Sequence, residues 1–436
     1  MKMNEKLKTT LKNLRHSVFP EGASAQEKIF SLLNAAIPFL IGCYIFVNPL
    51  SMAVVMEFCY YLSVLALIIL LVFRKTNFTL RSPLTAALGL FSLWAVLGLF
   101  TTLDVSNTLH DLRGYLLEYL LILYLLINFY HSRTRLELLS VLLVVSATVF
   151  SIGGMILFYG IEGHPIQTRF GLTFKEMYIG FMCFTTLFAA LLSLRAMYEA
   201  PSMRGRLFFF FCFLILSTAT MLNQARGAII ALGAALVIMC AHRKKNLIFI
   251  AVAIAFTMLF IAPILHERMA GRGMSATQDI RSKMFRLSWE VIKERPIAGL
   301  GYGGEIYGNG KLVDLEKYNA RLPEPYRQEM PLVLSTHNTF LDVTVRTGII
   351  GLFLFCLIPL TAFWMLWDVF RRRKEDFFRS WSIGLAACLA SYLIQAFFTD
   401  ALYGTQGILL YVHLAMIGIL WNLAQKEAAG VSTAGA

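Results

Sequence analysis

Little of this sequence is charged, and acids are the smaller share of what is charged. Of its 436 residues only 15% are Asp, Glu, Lys or Arg, and the 26 acids fall short of the 39 bases. A soluble domain ordinarily carries about 25% charged residues, so the scarcity argues against several water-facing domains. The seven cysteines, Cys43, Cys59, Cys183, Cys212, Cys240, Cys356 and Cys388, include no CxxC pair, and all fall in apolar segments. That argues against a disulfide scaffold or a cysteine-rich metal module and leaves buried packing as their role. The chain also lacks HExxH, a His/Cys cluster and a DxD-like acidic pair for magnesium, so no metal or other cofactor is expected. What is abundant is apolar: 58% of the residues are hydrophobic, with 35 Phe and 18 Met. Runs repeatedly exceed the roughly 18 apolar residues that cross a bilayer. The chain reads as an all-α polytopic membrane protein.

The sequence predicts about 12 spanning helices, centred near residues 40, 63, 91, 122, 147, 183, 212, 233, 254, 357, 388 and 413. It divides into an N-terminal tail (1–30), a first membrane block (31–262), one large loop (263–334), a second membrane block (335–424) and a C-terminal tail (425–436). The polar start is too charged and too long for a signal peptide. Basic residues gather on alternate connections: Arg74, Lys75 and Arg81; Arg133 and Arg135; Arg195, Arg204 and Arg206; Arg243, Lys244 and Lys245; and RRRK at 371–374. By the positive-inside rule both termini are expected in the cytoplasm and the large loop outside. Topology thus accounts for much of the net charge of +13, and no nucleic acid is needed to explain it.

The rule leaves Arg113, Arg169 and Arg226 on the outer side, where arginines of short loops are disfavoured. The large loop adds Arg281, Arg286, Glu290, Lys293 and Arg295, and His337 follows it. Cations converging on one face suggest an anionic substrate. In ATMLNQARGAIIALGAALVIM (219–239), Arg226 opens an apolar helix. It either snorkels to headgroup phosphates or, with the exposed N–H groups of the helix start, holds a phosphate, Gly227 permitting close approach. Arg169, in IQTRFGLTFKEMYIGF (166–181), either satisfies a local carbonyl or joins the anion site.

Within the loop, DIRSKMFRLSWEVIKERP (279–296) reads as an amphipathic helix capped by Asp279 and stopped by Pro296. Met284, Leu287 and Val291 supply its apolar contacts, with Phe285 and Trp289 as further candidates. Arg281 and Arg286 are five apart and do not share one helical face, and Lys293 and Arg295 read as surface charges. AGLGYGG (298–304) reads as a flexible turn; without a strand–turn–helix context it is no nucleotide loop. RLPEPYRQEMP (321–331) reads as an irregular segment over a site.

STHNTFLDVTVRTG (335–348) sets His337, Asn338, Asp342 and Arg346 where the chain re-enters the membrane. The group is either a helix cap or a catalytic cluster around His337, with Asn338 and Asp342 as substrate-binding candidates. In a regular helix Asp342 lies five residues from His337, so it orients the imidazole only if the turn is irregular.

Three stretches together, LNQARGA (222–228), the segment from Arg286 ending in KERPIAGLGYG (293–303), and STHNTFLDVTVRTGIIGL (335–352), resemble the O-antigen ligase and polymerase superfamily of bacterial envelope glycosyltransferases. The similarity runs over roughly 35–424. It implies a GT-C-like helical fold, a glycan donor on undecaprenyl pyrophosphate and, for the ligase branch, the outer core sugar of lipid A-core as acceptor. Arginines that neutralise the leaving group directly would make such a site metal-independent, and direct displacement would invert the anomeric configuration. Carried over by residue, the similarity implies His337 as general base, Arg226 and Arg286 as catalytic arginines, with Arg281 the alternative in the loop helix, and Arg169 as a further pyrophosphate-side arginine. The chain has QARG where many relatives have Ser or Thr before the arginine, which removes a hydroxyl but not the charge.

A polymerase would use the same donor chemistry with a second lipid-linked glycan as acceptor. An anion transporter is the alternative of another class; it would favour midplane charges and related halves, and no internal repeat is seen here.

Overall fold

The computed structural model describes residues 24–171, 173–174, 177–178, 182–242 and 273–430. In chain order its helices are α1 Ala25–Leu50, α2 Ala53–Val72, α3 Pro83–Phe100, α4 Val105–Phe129, α5 Arg133–Ile161, α6 Met182–Glu199, α7 Met203–Leu222, α8 Arg226–His242, α9 Gly273–Glu294, α10 Leu315–Arg321, α11 Thr339–Arg372, α12 Asp376–Ala396 and α13 Gly404–Ala428. Nine of these, α1 to α5, α7 and α11 to α13, are long and apolar enough to cross a membrane. The chain is therefore a polytopic helical membrane protein. α6 and the shorter α8 pack into the same bundle. The span expected near residue 254 and the basic group at 243–245 lie outside the described residues. A two-residue antiparallel pair, Thr173–Phe174 with Met177–Tyr178, is the one strand pairing among the described residues.

Burial sorts the helices into layers. α13 is 89% buried in its most apolar window, whereas α3 is 28% buried and α1 and α2 are each 33% buried. A helix apolar all round belongs inside, so α13 forms the axis and α1 to α3 face outward. α4, α11, α12 and α6 pack on α13, and α8 is held mainly by α12. His413, within α13, packs inside and shares a 2.9 Å hydrogen bond with the Leu385 carbonyl. Five of the seven cysteines are buried, and all seven are free thiols.

One end of the bundle is tied by charge. Arg133, opening α5, lies 2.5 Å from Glu375 and 2.7 Å from Glu427, joining three helices. Arg195 differs from its expected loop setting. It is buried within α6, 2.5 Å from Glu137, with its guanidinium 3.6 Å from the Trp381 ring centroid.

The opposite end is built around a break in α11. This helix of 34 residues would extend about 50 Å, more than the ~30 Å a bilayer core requires. At Gly348 (φ 69°, ψ −174°) it departs from helical geometry. The break frees carbonyls that would otherwise accept within the helix, and each finds a partner. Leu300 N–H donates to Val345 O at 2.9 Å, Gly301 N–H to Arg346 O at 3.0 Å, and Trp94 Nε1–H to Thr347 O at 2.8 Å. Ile349 N–H in turn donates to Pro296 O at 2.8 Å. The glycine-rich stretch is thus no free turn but the piece that fills the break. Gly299 (φ 68°) and Gly348 interlock there: a Cβ on the first would lie 2.5 Å from the Arg346 carbonyl carbon, and one on the second 2.0 Å from Ile297 O.

α9 begins at Gly273, earlier than the Asp279 cap read from the sequence, and ends just before Pro296. Met284, Leu287, Val291 and Ile292 face inward, while Phe285 and Trp289 are exposed and stack on each other at 6.4 Å. The irregular 321–331 segment contains one 3-10 turn, Glu324–Tyr326.

Candidate active site

Three arginines come together at the broken end of the bundle. α7 stops at Leu222, the backbone turns through Gln224 (φ 54°), and Arg226 is the first residue of α8. The preceding loop is strapped onto this turn. Phe170 N–H donates to Leu222 O at 2.9 Å, Asn223 Nδ2 to Phe170 O at 3.0 Å, and Gln224 Nε2 to Gln167 O at 3.0 Å. The strap sets Arg169 beside the start of α8, its Nε donating to Asn223 O at 2.8 Å. Arg169 therefore satisfies a local carbonyl and still brings its charge to the turn.

Arg281 of α9 completes the group. Its surface is open to solvent, yet surrounding protein disfavours the charge, and the positive charges of Arg226 and Arg169 add to this, holding its guanidinium below the ordinary arginine value. Like charges gathered in this way create a field that favours an anion. Arg286 is turned elsewhere, its guanidinium stacked 3.7 Å from the Tyr326 ring centroid. The five-residue spacing explains the difference, since it separates the two side chains by well over a quarter turn of the helix.

Gly227 does not leave space for a ligand. A Cβ there would lie 2.6 Å from Phe398 Cδ2, so the ring of Phe398 already fills that side. The close approach expected at this glycine is made by the protein itself.

His337 sits on the same end, at the N-terminal side of α11. It is exposed and adopts φ 45°, a left-handed conformation that costs a non-glycine residue energy and must be held by its surroundings. The holding group is Asp400, in the turn between α12 and α13. Its carboxylate accepts from Ser335 Oγ at 2.6 Å, Thr336 Oγ1 at 2.7 Å and Asn338 N–H at 3.1 Å. Asn338 caps α11, its Oδ1 accepting from Leu341 N–H at 3.0 Å while Nδ2 donates to Phe397 O at 3.2 Å. The cap and the irregular histidine turn are therefore one construction.

Asp342 pairs with Arg346. It is buried, 2.9 Å from Arg346 Nε, which lies one helical turn on along the same face. Arg346 also donates to Tyr302 O at 3.3 Å and to the Tyr403 hydroxyl. The pair locks the glycine-rich stretch to the first segment of α11, and Asp400 organises the His337 turn. Neither Asp400 nor Phe398 belongs to a sequence motif; the lone carboxylate in the short turn FTDALYG (398–404) is the signal that the sequence offers for them.

Lys293 pairs with Glu290 at 2.6 Å and Arg295 donates to Thr101 O at 3.1 Å, both as surface groups. Arg113 donates to the Tyr61 hydroxyl at 3.3 Å. Among the described residues no group of three or more His, Cys, Asp or Glu side chains is placed to hold a metal ion.

Chemically, the end of the bundle offers a cationic patch for an oxyanion and an exposed imidazole for proton transfer, on elements tied together through the 397–400 turn. A search of curated proteins finds no match to the chain. Residues 211–356, which run from α7 through the arginine turn and the His337 cap into α11, match the family model described as O-antigen ligase, the family that the sequence motifs resemble.

Proposed function

We propose that the protein transfers a glycan from undecaprenyl pyrophosphate to the outer core sugar of lipid A-core, with inversion and without a metal. The observation that carries this reading is the gathering of Arg169, Arg226 and Arg281 at the end of the bundle that also presents His337. A pyrophosphate leaving group needs its developing charge neutralised, and guanidinium groups do this with directed hydrogen bonds. His337 takes the proton of the acceptor hydroxyl as its oxygen attacks the anomeric carbon. The carbon–oxygen bond to pyrophosphate breaks, and the electron pair leaves with the phosphate. One displacement of this kind inverts the anomeric centre. For the base to act, imidazole and hydroxyl must approach to about 2.6–3.2 Å.

The reading orients the protein with the arginine end on the periplasmic side of the inner membrane and both termini in the cytoplasm. It draws on the basic residues at the far end of α11, Arg371, Arg372 and Arg373, and on the positive-inside rule. Apart from its two lipid-linked substrates and the membrane lipids around the bundle, it needs no partner. Asn338, fixed as a cap, contributes through the His337 turn.

The test uses purified full-length protein in lipid nanodiscs with undecaprenyl pyrophosphate-linked glycan and lipid A-core, under chelator and without nucleotide, beside His337→Ala. Transfer to lipid A-core by wild type and its loss in a folded His337→Ala variant support the reading. Extension of the lipid-linked glycan would assign the polymerase branch instead. Undiminished transfer by His337→Ala would remove the histidine from the mechanism.

A further inference from the structure

Resting on that reading, we infer that Phe398 is a positioning residue for the pyrophosphate-binding arginines, setting Arg226 and Arg281 at a fixed separation and in register with the His337 turn. Arg226 and Arg281 come from helices far apart in the chain, and their like charges repel. Something must hold them together while no anion is bound.

Phe398 meets both. Its ring packs against the α-carbon of Gly227, so closely that a methyl there would lie 2.6 Å from Cδ2 and 2.9 Å from Cγ. The first turn of α8, and Arg226 with it, therefore rests on the ring. The Arg281 guanidinium lies 5.8 Å from the ring centroid, within the reach of a cation–π attraction that offsets part of the repulsion between the arginines. The backbone around Phe398 is rigid for a separate reason. Phe397 O accepts from Asn338, Thr399 O accepts from Thr339 Oγ1 at 2.8 Å, and Asp400 holds Ser335, Thr336 and Asn338. One aromatic ring thus stands where the leaving-group side and the general-base side of the site are mechanically joined. An aliphatic residue would fill some of the volume but offer no π face, and a smaller one would let the start of α8 move.

The experiment compares wild type, Phe398→Leu, Phe398→Ala, Phe398→Tyr, Gly227→Ala and the double variant Gly227→Ala/Phe398→Ala, all as full-length protein in nanodiscs. Transfer gives kcat and KM, inhibition by inorganic pyrophosphate reports on the arginines alone, and thermal unfolding reports on the fold. Phe398→Leu is expected to weaken pyrophosphate inhibition about tenfold and to lower kcat, the cost of misplaced groups, with little change in unfolding. Phe398→Tyr, which keeps the ring, should restore both. Gly227→Ala drives a methyl into the ring and should weaken inhibition as well, and the double variant should recover part of that loss because alanine removes the Cγ and Cδ2 atoms that the methyl meets.

Unchanged inhibition in Phe398→Leu, or strict additivity in the double variant, overturns the inference. If Phe398→Leu does not fold, Gly227→Ala decides, since inhibition there as strong as in wild type would also overturn the inference. A wild type that neither transfers nor responds to pyrophosphate would instead defeat the transferase reading. The positioning role would then be read from amide exchange at 226–229, expected to quicken in Phe398→Leu.

Discussion

The Asp400 carboxylate accepts the backbone N–H of Asn338 at 3.1 Å, and this contact fastens the turn between α12 and α13 to the cap of α11. Two hydroxyls, of Ser335 and Thr336, complete its coordination. The left-handed backbone at His337 is held open by that carboxylate. Asp400→Ala leaves two hydroxyls and an N–H without their acceptor, and the turn should relax. We expect transfer to fall on the order of 10²-fold, as when a reacting group shifts by about 1 Å. Asp400→Asn, which keeps one acceptor oxygen, should lose less. Kinetics of the two variants, beside a melting curve showing that both remain folded, checks this. Equal activity of Asp400→Ala and wild type would mean that the histidine turn holds itself.

Arg281 and Arg286 separate two effects that the sequence leaves joined. Removing Arg281 takes a charge from the arginine group and should lower transfer by about 10²–10³-fold, the range seen for loss of one oxyanion-stabilising donor. Arg281→Lys keeps the charge but not the planar fork and should fall between. Arg286→Ala should act mainly through Tyr326, loosening the 321–331 segment with a smaller effect on pyrophosphate inhibition. The reverse order of severity would assign the leaving-group role to Arg286.

How much of this was legible in the chain depends on whether the deciding contact is local. The helical membrane class followed from apolar run length alone, and Arg226 at the start of α8 followed from the polar LNQAR ahead of small apolar residues. The His337 cap was visible because Asn338 stands before a helix and the group is polar where its neighbours are not. Asp400 was not, because its partners lie one helix pair away in the chain and nothing near it repeats a motif. Asp342 stands five residues from His337 but one helical turn from Arg346, and that spacing with their shared burial decides its partner. The glycine-rich stretch read as flexible because glycines permit many conformations. Only the docked carbonyls of Val345 and Arg346 reveal that one conformation is selected.

That docking gives a sharp stability prediction. Alanine at Gly348 adds a Cβ 2.0 Å from Ile297 O at a positive φ, and alanine at Gly299 adds one 2.5 Å from the Arg346 backbone. The backbone of Gly348 (φ 69°, ψ −174°) lies in a region essentially reserved to glycine, which costs another residue about 1–3 kcal/mol, and the clash adds to it. Both variants should melt earlier than wild type. Gly310→Ala, where a Cβ meets nothing within 4 Å, should not. Detergent-solubilised melting curves of the three decide it. A Gly348→Ala protein as stable as wild type would show that the loop is not seated in the helix break.

The contact between α9 and α10 should also loosen in acid, through Glu294 at the end of α9. The Tyr318 hydroxyl and Arg321, both of α10, hold its carboxyl below the ordinary value, the hydroxyl having the larger effect. A group whose folded pKa is depressed stabilises the fold above its unfolded value, about 4.3 for Glu. That contribution is lost as pH falls through the lower folded value. The tie between α9 and α10 should therefore hold at neutral pH and open only in acid. Amide exchange of 315–321 should quicken across that acid window in wild type, while Glu294→Gln, with no charge to lose, should show faster exchange at neutral pH and little further change. A parallel acid response in Glu294→Gln would trace the loosening to another carboxylate.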